Sequence, residues 1–378
     1  MNNKKLHILA VEPLYTGSHR DWLDNLVTHS RHRFDLITMP AGFWKWRIQG
    51  GALYLADQIK TDSYDLILTT SMLNTSLFLS LNRHNDIAKT RTAVYFHENQ
   101  LNYYPDDSKN QSAIKNDYSY AMISITNLII ADTVFFNSNY HRDIFFEQLP
   151  RFMSKLPDYN SLPFKELKSK CKILPVGIKT ELNDSNLTEV STSADPEVNN
   201  NKIPVILWNH RRDADKNPDG FLSFLKIIDN KNCKFKLILL GAENKSDKVF
   251  NQIEQLFKDR IIFNGFASTK TEYTRLLKQA HFAPITSDHE YFGISVMEAA
   301  YNGVIPLLPS SLVYPTLYHP FNELFYTPHD YLALAELFIK LSKSDNYLLK
   351  KNLHNHALKY SWNFLIKKYD DYLLQASI

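Results

Sequence analysis

Apolar and polar positions alternate in blocks along this chain, and the blocks change character in a regular order. Leu6–Val11, Phe34–Met39, Tyr64–Thr69, Thr92–Phe96 and Thr133–Phe136 are short, nearly continuous apolar runs, the pattern of strands buried on both faces. Between them, Trp22–His29, Gly50–Ile59, Ser76–Asn82, Ile114–Ile130 and Tyr140–Gln148 carry apolar residues at helical spacing. This alternation predicts a parallel sheet with crossover helices. The pattern lapses over residues 181–202, rich in Asn, Ser, Thr, Asp and Glu, which predicts a linker or mobile loop. A second series follows. Pro204–Trp208, Phe235–Leu240, Ile261–Phe263, Phe282–Ile285 and Ile305–Leu308 read as strands. Gly220–Ile228, Lys248–Phe257, Lys270–Gln279, Ile294–Tyr301 and Tyr331–Leu341 read as helices. The last stretch, with apolar residues at Phe364, Leu365, Tyr369, Tyr372 and Leu373, reads as a closing helix.

The expected fold is therefore α/β, with two Rossmann-like doubly wound domains. The first covers residues 1–180 and the second 203–360, with the helix at 361–378 packing back on the first. Ligands in such sheets sit at the carboxyl ends of the strands, so the two domains are expected to face a central cleft.

Composition narrows the class without naming an activity. The 378 residues are 44% hydrophobic and 22% charged, an ordinary globular balance. Apolar runs such as Leu237–Leu240 and Ile305–Leu308 fall far short of the ~20 residues that span a bilayer. The basic start Met1–Leu6 leads into an apolar run cut off by Glu12 and Pro13, better read as a first buried strand than as a signal sequence. Cys171 and Cys233 have no metal or redox spacing and point to a reducing, cytoplasmic setting. A net charge of +3 permits a nucleic-acid partner without demanding one.

Four loops at strand ends carry the candidate chemistry. In His289-Glu290-Tyr-Phe-Gly293-Ile294-Ser295-Val-Met-Glu298, a strand leads into a turn and Gly293 opens a helix. The free N–H groups of Gly293, Ile294 and Ser295 are expected to meet an anion such as a diphosphate. Glu298, a turn further in, can accept two hydrogen bonds from a ribose diol, and Glu290 is expected to reach a sugar. By charge pattern alone, the stretch is equally a helix start with ordinary acidic residues. In Trp208-Asn-His210-Arg211-Arg212-Asp213-Ala214-Asp215-Lys216-Asn-Pro218, cations in a strand-to-helix loop suit a diphosphate leaving group, or form a basic loop paired to Asp213 and Asp215. His97, Glu98 and Asn99 follow a first-domain strand and suggest a sugar-binding rim. Gly17 and Ser18, in the first β-to-α turn, can bring N–H groups to an anion.

The stretch Glu290 to Glu298, with Asn302-Gly303-Val-Ile-Pro306 after it, resembles the E-x7-E signature of retaining GT-B glycosyltransferases of the group 1 type. The resemblance implies that Arg211 and Lys216, five positions apart, hold a pyrophosphate, with Arg212 as the alternative cation. It also implies that His97 contacts the donor sugar, and that Leu174-Pro-Val-Gly177-Ile178 enters the second domain. Further segments resemble the tRNA-queuosine α-mannosyltransferase family: Glu12-Pro-Leu-Tyr-Thr-Gly-Ser-His19, Met39 to Arg47, Ala52-Leu-Tyr54 and Tyr95 to Leu101. Arg212 and Ala214 depart from that family's usual residues, which leaves recognition details open. The family implies GDP-mannose as donor and a queuosine-containing tRNA as acceptor; no metal is expected, because backbone and side-chain cations can meet the diphosphate and no Asp-x-Asp pair stands in a convincing context. His19, Trp44, Lys45, Trp46, Arg47, Glu98 and Asn99 are the expected acceptor contacts, since aromatic faces stack unpaired bases and cations meet phosphates. Trp44 and Trp46 can equally be core residues on a strand face, and Arg31-His32-Arg33 is a second basic run. Other readings stay open: a hexosyltransferase for surface polysaccharide or lipid, a non-catalytic tRNA-binding module, or a nucleotide-sugar epimerase.

Overall fold

The computed structural model describes residues 4–60, 63–83, 86–101, 118–158, 162–180, 203–241 and 248–378. The loop expected over 181–202 and the first turn of the helix expected from Ile114 lie outside these residues. The chain divides into two compact units, Met1–Gly177 with Trp362–Ile378, and Ile178–Ser361.

In the first unit the strands are β1 (His7–Glu12), β2 (Arg33–Thr38), β3 (Leu66–Thr70), β4 (Thr92–Phe96), β5 (Thr133–Phe136) and β6 (Cys171–Ile173). The helices are α1 (Gly17–His29), α2 (Trp44–Ala56), α3 (Thr75–Leu81), α4 (Ser119–Ile130), α5 (Asn139–Met153) and α6 (Phe164–Ser169). All strand pairs are parallel, in the order β2-β1-β3-β4-β5-β6. The central strands β3, β4 and β5 are buried along their whole length, which is why they read as unbroken apolar runs.

The second unit carries β7 (Val205–Asn209), β8 (Lys236–Leu240), β9 (Ile261–Gly265), β10 (Phe282–Pro284), β11 (Ile305–Pro309) and β12 (Phe325–Tyr326). Its helices are α7 (Pro218–Asn230), α8 (Lys248–Phe257), α9 (Lys270–Gln279), α10 (Ile294–Tyr301), α11 (Tyr314–Leu317), α12 (Tyr331–Ser342) and α13 (Tyr347–Leu358). The order β12-β11-β10-β7-β8-β9 is the doubly wound Rossmann pattern. The order in which strands are added reverses between β7 and β10 here, and between β1 and β3 in the first unit. Loops leaving those strands diverge and open a crevice at each switch point.

The last helix, α14 (Trp362–Ala376), belongs to the first unit. Trp362, Leu365, Tyr369, Leu373 and Ala376 form its buried stripe. The Tyr369 hydroxyl accepts from Trp22 Nε1 at 3.0 Å and donates to the Pro175 carbonyl at 2.7 Å. Asp370 accepts from the Ser30 hydroxyl and the Arg31 N–H, so the first two residues of the basic run 31–33 are engaged there, while Arg33 is exposed and faces Asp35. Arg31 also reaches Asp371 at 3.5 Å, and His32 is buried between Leu6 and α14. Gly177 is required for space, since a Cβ there would stand 2.5 Å from the Trp362 ring.

Trp44 and Trp46 correct one expectation. They open α2 and do not lie on a strand, and Trp46 is 79% exposed, so neither forms a strand-face core. The helix runs on through Gly50-Gly51, against local propensity. At Gly51 the reason is close packing: an added Cβ would meet Pro13 at 3.3 Å.

Candidate functional site

The loops that follow β7 and β10 flank the switch point of the second unit, and hydrogen bonds lace them together. The Asp215 carbonyl accepts the N–H of Asp288 (2.9 Å) and of His289 (3.3 Å). Thr286 Oγ1 donates to the carbonyls of Lys216 and Asn217. Asn217 takes a left-handed backbone and caps α7 by accepting from Gly220 N–H at 2.9 Å.

Lys216 sits buried at the centre of this lacing. Its Nζ donates to the His289 carbonyl at 2.9 Å and lies 3.1 Å from Asp215 and 3.2 Å from Glu290. Burial by itself lowers an ammonium pKa, but the two carboxylates outweigh it and hold Lys216 above its ordinary value. Burial likewise works to raise Glu290. The charge of Lys216, then His210 and the loop N–H groups, overcome it and hold the carboxyl at about 2. Glu290 Oε1 accepts the N–H groups of Tyr291 (3.1 Å), Phe292 (3.3 Å) and Gly293 (2.9 Å). This corrects the expectation for Gly293, whose N–H is engaged by Glu290. The glycine is needed for its φ of +79°, which turns the chain into α10. The next two N–H groups, of Ile294 and Ser295, have no acceptor among the described residues. They form the electropositive end of α10.

His210 was passed over at the sequence level. It stands one residue past β7, buried, with Nδ1 3.2 Å from Ser295 Oγ and Nε2 without a partner among the described residues. Burial first, and the Lys216 charge second, press its pKa down to about 4, so it is neutral. His356 on α13 is also held at about 4, by burial and then Lys359. The unfolded chain takes up these protons near pH 6.5 and the folded chain only near pH 4, so stability falls as pH drops through that window. Denaturant melts are expected to weaken from about pH 6.5 downward, well before ordinary carboxylates titrate. A profile flat from pH 6.5 to 5 contradicts this, and His210→Asn is expected to reduce the slope.

Glu298 is anchored inside α10. Its Oε2 accepts from Tyr273 Oη at 2.8 Å and its Oε1 lies 3.4 Å from Lys270 Nζ, both on α9. Tyr273 Oη also accepts from Asn209 Nδ2. Neither partner carried a signal in the sequence, because α9 approaches α10 only in the folded sheet. Arg211 is 74% exposed in its side chain and pairs with Asp213 at 3.1 Å, while Arg212 is buried, lies over Phe250 and bonds Asn264. The structure thus separates the two arginines. Only Arg211 is open to a ligand, and Arg212 belongs to the packing of the unit.

At the first unit's carboxyl edge, Gly17 opens α1 with φ +49°, and Gly17 and Ser18 are exposed. Glu12 is fully buried at the end of β1, where Oε1 accepts the Leu14 N–H at 2.7 Å and Oε2 lies 3.1 Å from His19 Nδ1. The His19 ring lies against His97, centroids 4.1 Å apart. Ligating atoms of Glu12, His19 and His97 fall within 4.8 Å of one another, the one such metal-competent group among the described residues. His97 Nε2 and Thr70 Oγ1 are buried without a partner among the described residues. Leaving such a group unsatisfied costs about 1–3 kcal/mol. Glu98 accepts from Gln100. Asn99, expected on the rim, is 1% exposed and its Oδ1 holds the Leu101 N–H, so it stabilises the loop. Trp44 packs on Tyr120, while Trp46 and Phe43 project outward beside Lys45 and Arg47.

Two parallel doubly wound units, with an anion-ready helix end beside a buried carboxylate at the second switch point, define a glycosyltransferase of the GT-B class. The sequence of the second unit agrees: residues 191–360 match the "Glycosyl transferases group 1" family. Solved structures agree on the fold. Sucrose-phosphate synthase from Thermosynechococcus elongatus superposes with a TM-score of 0.68 at 14% identity, over 98% of both chains. Anabaena HepE in complex with UDP gives 0.67 at 13% identity, over 98% of this chain and 100% of that one. Residues 7–178 match the tRNA-queuosine alpha-mannosyltransferase N-terminal family. A Drosophila melanogaster protein named tRNA-queuosine alpha-mannosyltransferase is 29% identical over 333 residues, 86% of this chain and 85% of the relative. The chain thus joins an N-terminal region similar to that of tRNA-queuosine α-mannosyltransferases to a group 1 glycosyltransferase region. Among the described residues, no helix is long and apolar enough to cross a membrane.

Proposed function

We propose that this enzyme moves mannose from GDP-mannose to the queuosine base of a tRNA anticodon, of the tRNA-Asp type, with retention at the sugar carbon. The observation that supports the donor half is the set of uncommitted donors at the second switch point. The Ile294 and Ser295 N–H groups and His210 Nε2 have no partner among the described residues, His210 feels the Lys216 charge, and Arg211 is exposed and paired only with Asp213 among them. The diphosphate takes the N–H groups and draws Arg211 from Asp213. Lys216, held by Asp215 and Glu290, stabilises the negative charge that grows as the bond to mannose breaks. In this reading protein groups neutralise the leaving group without a metal. Both Glu290 oxygens are already engaged, so Glu290 acts first by fixing Lys216 and the loop, with Oε2 left to accept one sugar hydroxyl. Glu298 holds the ribose, and His97 contacts the sugar.

The family match of the first unit supports the acceptor half. Gly17 and Ser18 at the start of α1 offer N–H groups to a phosphate. His19, Glu98 and the exposed Trp44-Lys45-Trp46-Arg47 corner meet the acceptor, with Trp46 stacking an unpaired base. A tRNA acceptor places the reaction in the cytoplasm. The test is incubation with a panel of labelled nucleotide sugars and with tRNA that contains or lacks queuosine. Label is expected from GDP-mannose and only in the queuosine-containing tRNA. Equal label in both tRNAs, or none in either, overturns the assignment.

A further inference from the structure

The first unit has a switch point of its own, between β1 and β3, and besides Ser71 Oγ the described residues leave two buried polar atoms there without a partner. One is Thr70 Oγ1, in a residue only 2% exposed at the last position of β3. The preceding hydroxyl, Thr69 Oγ1, is satisfied by Thr75 at 2.9 Å, so the fold supplies a partner one residue earlier and none at Thr70. The other is His97 Nε2.

Register places these groups together. Val11 pairs with Thr69 and Thr70 with Tyr95, so Glu12, Thr70 and Tyr95 stand side by side on one face of the parallel sheet. His97 lies two residues beyond Tyr95, on the same face, and its ring meets Tyr95 at 4.7 Å and His19 at 4.1 Å. Glu12 is a positioning residue. With its carboxylate 3.1 Å from His19 Nδ1, it favours the tautomer that leaves His19 Nε2 as an acceptor. Burial, followed by the neighbouring histidines, holds His97 neutral, able to accept or donate one hydrogen bond.

We propose that Thr70, His97 and His19 form a hydroxyl-binding subsite at this switch point that grips a pair of vicinal hydroxyls. A hydroxyl both donates and accepts, and so does each of these side chains in turn. A metal held by Glu12, His19 and His97 would leave Thr70 Oγ1 unexplained. The inference rests on the function proposed above for its two sources of a diol: mannose carries a cis pair on neighbouring ring carbons, and queuosine carries one on its cyclopentene ring.

The test compares wild type with Thr70→Val, which keeps the shape and removes the hydroxyl, and with Thr70→Ser, which keeps the hydroxyl. Thr70→Val is expected to raise one KM by about tenfold while leaving the melting temperature equal or higher, because it deletes an unpartnered buried hydroxyl. A rise in the KM for GDP-mannose assigns the sugar as the source, and a rise in the KM for tRNA assigns the queuosine ring. Thr70→Ser is expected to restore most of the loss. Both KM values unchanged, or a lowered melting temperature with normal KM, overturns the subsite in favour of a structural role. Ligand-observed NMR with free mannose and with queuosine nucleoside needs no turnover. If wild type transfers nothing, loss of binding to one of them in Thr70→Val still supports the subsite, and equal binding overturns it.

Discussion

Replacing Lys216 by methionine is expected to lower sugar transfer by about 10²–10³-fold and to destabilise the second unit by about 3–5 kcal/mol. The two effects have one cause. Lys216 Nζ is buried between Asp215 and Glu290 and also donates to the His289 carbonyl. Methionine fills the space but leaves two buried carboxylates facing each other. Glu290 then loses the positive neighbour that holds its pKa at about 2, takes up a proton nearer neutrality and slackens its hold on the loop before α10. In the function proposed above, donor binding and leaving-group stabilisation both depend on that loop. Single-turnover transfer and thermal melts measure the two losses separately. A Lys216→Met, Glu290→Gln double variant is expected to recover part of the stability, since it removes one stranded charge, and none of the transfer. Full activity in Lys216→Met would rule out the leaving-group role.

Glu298→Ala is expected to raise the KM for the nucleotide sugar by about 10- to 100-fold, with a smaller change at saturating donor. A carboxylate that accepts from a ribose diol makes charge-assisted bonds, and the net loss of one, about 1.5–3 kcal/mol, already gives that factor. Glu298 is already preorganised by Tyr273 at 2.8 Å, in a side chain only 17% exposed. The Lys270 pair, half exposed at 3.4 Å, is screened by solvent and contributes little. Tyr273→Phe is therefore expected to weaken donor binding by a smaller factor, and Lys270→Ala hardly at all. Titration of GDP by calorimetry orders the three variants. Unchanged affinity in Glu298→Ala would remove it from the donor site.

Much of the fold was legible because both sheets are parallel and covered on both faces. Strands such as β4 and β5, buried at every position, appear in the sequence as apolar blocks with the bounds seen in the structure. Helices α8, α9 and α10 were equally legible, since each presents an apolar stripe to a sheet. Some elements of two or three residues, or with few apolar positions, were missed. β6 and β12 are short outer strands, and α13 is rich in Lys, Asn and His. α1 and α2 began earlier than their patterns suggested, because polar Gly17–Arg20 and exposed Trp44–Arg47 carry no buried periodicity.

For the site, the sequence determined which residue types gather at strand ends: a Glu pair with seven residues between, spanning a glycine, cations after β7, and a histidine after β4. Local order suffices for that, since strand, turn and helix start are neighbours in the chain. Tertiary structure alone decided which of those groups are committed. Glu290 holds its own loop and Lys216, Arg212 lies inside while Arg211 faces solvent, and Asn99 is buried. The parallel register brought Thr70 beside Glu12 and Tyr95, and the approach of α9 gave Glu298 its tyrosine. Hydrogen-bond satisfaction and charge pairing act between segments far apart in sequence, so they are settled only when the sheet closes.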